Sequence, residues 1–218
     1  MDQPNVLAQL IEAVKGDATT FEETYCMDQQ KVGLGSTRAV YRHGDYVIKK
    51  HLHAVGYQQS QNEQCFYRLL KEKAMDENVG AIHYVSESHM IGEYVTPLPV
   101  YDDGTGYDLH DFVPEEPNER YHPTHTAATD FLVEQGVVYD ELLYSTNAGV
   151  NQQGFIVYVD YGMTHELSIA HQQGVENGDI PIYLHDECDG CREVKVCRVF
   201  DNQTEIICLD CASKGARV

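Results

Sequence analysis

A fixed order of four residue types in the first third of the chain constrains its fold more than any other feature. Two glycines one residue apart, Gly33 and Gly35, precede Val40, and a short apolar strand pattern then ends in Lys49. Fourteen residues later, Glu63 lies in a stretch whose apolar residues have helical spacing. Glycines at this spacing let a strand-turn-strand approach phosphates closely, because no side chain holds the backbone away. The order predicts a nucleotide cradle, although a G-x-G pair alone is also an ordinary hairpin turn.

This order resembles the nucleotide-binding lobe of protein kinases. The resemblance implies ATP as the cofactor, with Gly33 and Gly35 covering its phosphates and Val40 packing over the adenine. It also implies that Lys49 contacts the α- and β-phosphates and that Glu63 pairs with Lys49.

Two more features bear on the same lobe. Arg38 occupies the position of the third glycine in the kinase pattern G-x-G-x-x-G, so this chain departs from the family there. The apolar residues 90–95 resemble the kinase strand that leads into the hinge between lobes, which implies that backbone groups of Glu93 to Val95 bind the adenine edge. A plain edge strand is the alternative.

The second half of the resemblance lies around Asn147 and Asp160, thirteen residues apart. Asp160 begins an Asp-Tyr-Gly that follows an apolar strand, as the kinase D-F-G does. A tight hairpin with its tip at 152–154 would bring both side chains to one Mg²⁺, which prefers carboxylate and amide oxygens, phosphates and water. A buried hairpin ending in D-x-G can also be purely structural.

The chain departs from the kinase pattern at the catalytic base. The acid of H-R-D-x-x-x-x-N would stand five residues before Asn147, where this chain has Leu142. We expect Asp140 to serve as the base in preference to Glu141, because it follows the strand pattern directly. The base can equally be absent. No A-P-E segment follows Asp160, so the resemblance is to a reduced, atypical kinase of a kind that viruses encode.

The cysteine pattern near the C-terminus is the most specific local signal. Cys188 and Cys191 form one C-x2-C pair, Cys208 and Cys211 form another, and sixteen residues separate the pairs. This is the spacing of a four-thiolate zinc site, and with the hairpin pattern between the pairs it resembles a zinc ribbon. Four thiolates close the coordination shell, so the Zn²⁺ is expected to be structural. Cys197 lies in a strand pattern and is interpreted as a fifth cysteine that binds no metal.

The charge balance limits the expected partners. Fifteen Lys and Arg stand against 35 Asp and Glu, for a net charge of −20. This argues against nucleic acid or an anionic membrane as the main partner. A protein substrate or protein partner is implied by the kinase resemblance and by the ribbon segment 185–218, where seven acids stand against five Lys and Arg. The acidity also suits a solvated or salt-adapted surface. No long apolar run or basic leader is present, so a cytoplasmic location is expected, in a host cell if the virus resemblance holds.

Taken together, the sequence predicts an α+β fold: a kinase-like domain over 1–184 and a zinc ribbon over 185–218. Within the domain we assign 31–95 to the nucleotide-binding lobe, 96–125 to a linker and 126–184 to a reduced catalytic lobe. Apolar spacing predicts further elements, namely helices at 5–15, from 124 or 126 to 136, and at 163–173, and strands at 79–85 and 89–95.

Three functions are consistent with this interpretation. The first is an ATP-dependent phosphotransferase, most simply a serine/threonine-type protein kinase of reduced form. The second is an inactive pseudokinase that acts as a protein-binding module, favoured by the missing His-Arg-Asp. The third is a small-molecule, aminoglycoside-type phosphotransferase, favoured by the acidic 100–120 segment, which would attract a cationic substrate.

Overall fold

The largest sheet of the protein lies in its first half. The structure, a computed structural model, describes residues 5–100, 106, 108–109, 120–199, 206–208 and 211. Five strands form the sheet: β1 (Lys31–Leu34), β2 (Arg38–His43), β3 (Tyr46–His51), β4 (Ile82–Val85) and β5 (His89–Glu93). They are antiparallel in the order β1-β2-β3-β5-β4. The strands predicted at 79–85 and 89–95 are therefore confirmed, with shorter bounds.

Two N-terminal helices cover one face of this sheet, α1 (Val6–Lys15) and α2 (Ala18–Tyr25). Phe21 of α2 packs with Ile48 and Ile91 of the sheet in one buried cluster. The predicted helix at 5–15 is confirmed as α1, whereas α2 was not predicted. The residue that could have predicted the start of α2 is Asp17. Its side chain accepts a hydrogen bond from the backbone N–H of Thr20 at 2.7 Å and so caps the helix.

The opposite face of the sheet carries the long helix α3 (Ala54–Glu72). Its buried residues lie three or four positions apart along one stripe. They are Val55, Gly56, Gln59, Ser60, Glu63, Phe66 and Leu70. The C-terminal end of the stripe is apolar, and its residues Phe66 and Leu70 pack into the hydrophobic core. The middle of the stripe carries the buried polar side chains.

The second half of the chain packs around a hairpin. Its elements are β6 (Thr96–Pro97), α4 (His125–Glu134), α5 (Tyr139–Leu142), β7 (Ala148–Val150), β8 (Ile156–Tyr158) and α6 (His165–Glu176). Strands β6, β7 and β8 form an antiparallel sheet in that order. The predicted hairpin is confirmed, with a turn at 151–154, and the helix predicted from 124 or 126 is confirmed as α4.

The end of helix α6 lies where the sequence predicts it. A helix was expected at 163–173, ended by the region of Gly174 and Gly178, and α6 ends within that region, at Glu176. A Cβ at position 174 would lie 2.6 Å from Ile180 Cδ1. The glycine is therefore required for close packing against Ile180, not for ending the helix.

The cysteine-rich segment forms a third sheet from β9 (Ile182–Glu187), β10 (Val194–Val199) and β11 (Ile207–Cys208). Strand β10 pairs with both neighbours in the order β11-β10-β9. The hairpin predicted between the two C-x2-C pairs corresponds to β10 and β11, and residues 200–205 between them lie outside the described residues. Strand β9 was not predicted, and it begins at Ile182, before the boundary expected at 185.

These elements confirm the predicted α+β class, a β-rich lobe with one long helix between its third and fourth strands, followed by a reduced second part and a cysteine-bearing module. Within the described ranges, no helix is long and apolar enough to cross a membrane.

Burial lowers the pKa of three histidines to about 4. We refer to them as the low-pKa histidines: His51, His89 and His125.

Candidate functional site

A cavity of about 220 Å³ lies between the large sheet and the β7–β8 hairpin. Apolar side chains from the sheet supply much of its lining, including Val32, Val40, Val47, Ile82, Met90 and Val95. Its polar side chains include Lys49 and Asp160. An apolar slot with a few charged groups at one end suits a flat base that carries a charged tail.

The structure brings most of the expected nucleotide-binding residues to this cavity. Gly33, Val40, Lys49, Glu93 and Val95 line it, whereas Gly35 is exposed and is not among the lining residues. At the expected hinge, the backbone N–H of Glu93 donates to Ala81 O at 2.8 Å, and that of Tyr94 donates to Asp45 O at 2.9 Å. A contact to an adenine edge therefore has to come from other backbone groups of this segment.

Lys49 and Glu63 form a buried ion pair at the edge of the cavity. Side chains alternate along β3, so Lys49 faces the cavity while Lys50 faces α2, where its Nζ lies 2.5 Å from Glu22 Oε2. Lys49 Nζ donates to Glu63 Oε2 at 3.2 Å and to Val159 O at 2.6 Å. Burial lowers the pKa of Lys49 and raises that of Glu63. The pair is built by the strand and helix periodicities that the sequence shows.

Arg38 joins this pair to Asp160. Its guanidinium donates through Nη1 to Glu63 Oε1 at 2.8 Å and through Nη2 to Asp160 Oδ1. Burial alone would raise the pKa of Asp160, but the positive charges of Arg38 and Lys49 outweigh burial and hold that pKa below its ordinary value. Two cations and two carboxylates thus form one continuous network, with Glu63 at its centre.

The same contacts bear on the Mg²⁺ site expected at Asp160 and Asn147. Asp160 Oδ1 also accepts a hydrogen bond from Gln59 Nε2, so one oxygen already receives two donors. The guanidinium neutralises the carboxylate and would repel a second cation placed beside it. As they are arranged here, these residues do not fit a Mg²⁺ ion.

Asn147 lies beside Glu141. Its Nδ2 donates to Glu141 O at 2.8 Å and to Glu141 Oε2 at 3.1 Å. Burial, followed by the negative charge of Asp160, raises the pKa of Glu141. Asp140, the acid preferred from sequence as the base, is exposed on α5. The assignment of a base therefore stays a prediction, and Glu141 is the acid that the structure places in contact with Asn147.

Sequence reasoning missed two groups that shape the site, Gln59 and Ser60. Both precede Glu63 by a helical spacing of four or three residues, so the buried stripe of α3 carried the signal. The sequence also showed Arg38 in place of a glycine of the kinase pattern, but it did not show which residues Arg38 contacts. These residues convert an expected open phosphate site into a closed charge network.

A second candidate site lies in the cysteine module. The Sγ atoms of Cys188, Cys191, Cys208 and Cys211 all lie within 4.8 Å of one another, as a metal ion would require. Backbone N–H donation from Cys208, at 3.1 Å, is the main cause that lowers the pKa of the Cys188 thiol to about 6 and so favours the thiolate that binds metals. Cys197 Sγ instead donates to Asp186 O at 3.4 Å.

Comparison with known proteins finds likeness in structure. Neither protein-family models nor curated proteins give a match. Forty-six chains of solved structures match. One is the kinase Lpg2603 of Legionella pneumophila bound to IP6, at TM-score 0.40 and 13% identity, covering 63% of this chain and 48% of that one.

Two further matches are of similar strength. The gentamicin complex of APH(2″)-IIa has TM-score 0.39 and 13% identity, covering 67% of this chain and 70% of that one. An apo pseudokinase has TM-score 0.31 and 16% identity, covering 70% of this chain and 65% of that one. The chain thus spans about half the length of the Legionella kinase and about two thirds of the other two.

Proposed function

We propose that this chain binds ATP in the cavity and transfers its γ-phosphoryl group to a protein hydroxyl. The single observation that carries the proposal is the Lys49–Glu63 pair, with Lys49 on the wall of an apolar cavity that also contains Val40 and Val95. A lysine held by a buried carboxylate presents its charge at a fixed place, where it can bind the phosphates of a nucleotide whose base fills the apolar slot.

A specific observation favours a second candidate, a nucleotide-binding module that transfers no phosphoryl group. Arg38 already neutralises Asp160, and the acid next to Asn147 is Glu141, whose side chain accepts from the asparagine. Both contacts engage groups that a phosphotransferase would need at its reacting atoms. The small-molecule alternative depends on the 100–120 segment, which lies mostly outside the described residues.

Two neighbouring lysines provide the test. ATP binding is measured by calorimetry with the wild-type chain, Lys49→Met and Lys50→Met, since Lys50 lies on the other face of β3 and pairs with Glu22. We expect Lys49→Met to weaken binding at least about tenfold and Lys50→Met to leave it unchanged. Absence of ATP binding by the wild-type chain, or equal losses in both variants, would contradict the proposal.

Phosphoryl transfer is measured separately, by the intact mass of the chain and of a protein acceptor such as casein after incubation with ATP and Mg²⁺ or Mn²⁺. A gain of phosphate that Lys49→Met abolishes supports the phosphotransferase. Binding without any transfer would overturn that part of the proposal and leave the nucleotide-binding module.

For the cysteine module we propose a structural Zn²⁺ held by Cys188, Cys191, Cys208 and Cys211. The proposal is supported by the clustering of the four Sγ atoms and by Gly190, where a Cβ would lie 3.1 Å from Cys211 Sγ. The turn at Cys188–Cys191 therefore lies directly against Cys211, and the four sulfurs are close enough to bind one ion.

A further inference from the structure

We infer that Arg38 takes the place of a divalent cation at Asp160, so that ATP binds in the cavity without Mg²⁺. This inference rests on the proposed ATP binding and holds whether or not a phosphoryl group is transferred. It assigns to Arg38 a positioning role, because Arg38 is only 4% exposed and acts on the cavity through the Asp160 carboxylate that lines it.

The first support is how firmly the guanidinium is held. It donates to three side chains on two segments: Ser60 and Glu63 of α3, and Asp160, which lies 122 residues from Arg38. Glu63 is fully buried, so its charge requires the cations around it. An arginine fixed between two carboxylates in this way is a built part of the site and not a surface side chain that happens to reach it.

A second chain of contacts orients the guanidinium from behind. His51 Nδ1 lies 2.9 Å from Glu87 O, which can only accept, so Nδ1 carries the hydrogen. His51 Nε2 is then the acceptor for the Ser60 hydroxyl at 2.9 Å, and the Ser60 oxygen accepts from Arg38 Nη1 at 3.1 Å. Burial keeps His51 neutral, which preserves this direction of donation. Each partner thus fixes the next, and the last of them is Arg38.

The third support is the balance of charge. Arg38 and Lys49 carry two positive charges, and Glu63 and Asp160 carry two negative ones. Without Arg38 the network would be left with one net negative charge facing the phosphates of ATP. A divalent cation normally offsets such repulsion at a nucleotide site. Here the guanidinium supplies the offset, and it already binds Oδ1 of the carboxylate that the cation would use.

The experiment measures ATP affinity of the full chain by calorimetry, once in EDTA and once in excess Mg²⁺. We expect the wild-type dissociation constants in the two conditions to agree within about threefold. Arg38→Gln removes the charge but keeps hydrogen-bonding groups, and we expect it to bind at least about tenfold more weakly in EDTA and to recover in Mg²⁺. Arg68→Gln, a charge loss at an exposed position of α3, is the matched control and should behave as wild type.

A double variant separates the electrostatic role from a folding role. Arg38→Gln with Asp160→Asn removes both charges, so we expect binding in EDTA to return to within about threefold of wild type. A double variant that stays as weak as the single variant would show that Arg38 serves folding and would overturn the inference.

The wild-type comparison decides the matter even if the variants do not fold. Binding in Mg²⁺ but not in EDTA would overturn the inference and leave the proposed ATP binding intact. Binding in neither condition would refute the proposed function itself, and the inference with it.

Discussion

The buried carboxylate of Glu63 offers the sharpest test of the charge network. It is fully buried and accepts from Arg38 Nη1 at 2.8 Å and from Lys49 Nζ at 3.2 Å. Glu63→Gln would remove the charge that both cations share, and Lys49, at 6% exposure, would keep the carbonyl of Val159 as a neutral partner. Because removing one member of a buried ion pair leaves an uncompensated charge, we expect a loss of about 3–5 kcal/mol in the free energy of unfolding.

For a chain of this size, such a loss corresponds to a fall in melting temperature of about 6–20 °C. The assay is urea and thermal denaturation of wild type, Glu63→Gln, Lys49→Met and the double variant, with Glu72→Gln as an exposed control on α3. The double variant removes both charges of the pair, so it should be more stable than the sum of the single effects predicts. A loss below about 1 kcal/mol for Glu63→Gln, or strict additivity in the double variant, would refute the reasoning.

Three further predictions follow from other contacts. Elemental analysis should find about one zinc per wild-type chain, the same in Cys197→Ala, and none in Cys208→Ser. A wild-type chain purified without chelators but free of zinc would contradict the assignment. Gly162→Ala should destabilise the chain by about 3 kcal/mol in urea denaturation, because a Cβ there would lie 2.1 Å from Gln59 O. Its control is Gly80→Ala, which should cost less than about 1 kcal/mol because the new Cβ would meet nothing nearer than 3.7 Å. The low-pKa histidines stay neutral in the folded chain, so their contribution to stability is complete above pH 6.5 and is lost as the pH falls from 6.5 towards 4. The urea midpoint should therefore drop over that range, and an unchanged midpoint would contradict this account.

The sequence predicts the parts of the site that local periodicity controls. Alternation along β3 places Lys49 and Lys50 on opposite faces, and helical spacing places Glu63 on the same face of α3 as Phe66 and Leu70. Because both patterns depend on neighbours in the chain, the strand, the helix and the pair between them could be expected. The hairpin between β7 and β8 follows for the same reason.

The sequence does not predict the contacts that depend on tertiary packing. Arg38 is visible as a non-glycine residue in a glycine pattern, but its partner Asp160 lies 122 residues away. The choice between Asp140 and Glu141 depends on the register of the single-turn helix α5, where adjacent side chains point about 100° apart. A pattern cannot fix that angle, whereas the contact between Glu141 and Asn147 does.

The Arg38 side chain also determines how the cleft can open. One guanidinium connects strand β2, helix α3 and the residue two positions after strand β8, while a Cβ at Gly56 of α3 would lie 2.4 Å from Thr37 O beside it. Moving any one of these segments away from the others would leave a buried charge without its partner, which is costly. We therefore expect their backbone amides to exchange as one cooperative unit in native-state hydrogen exchange, with helix α3 as part of that unit.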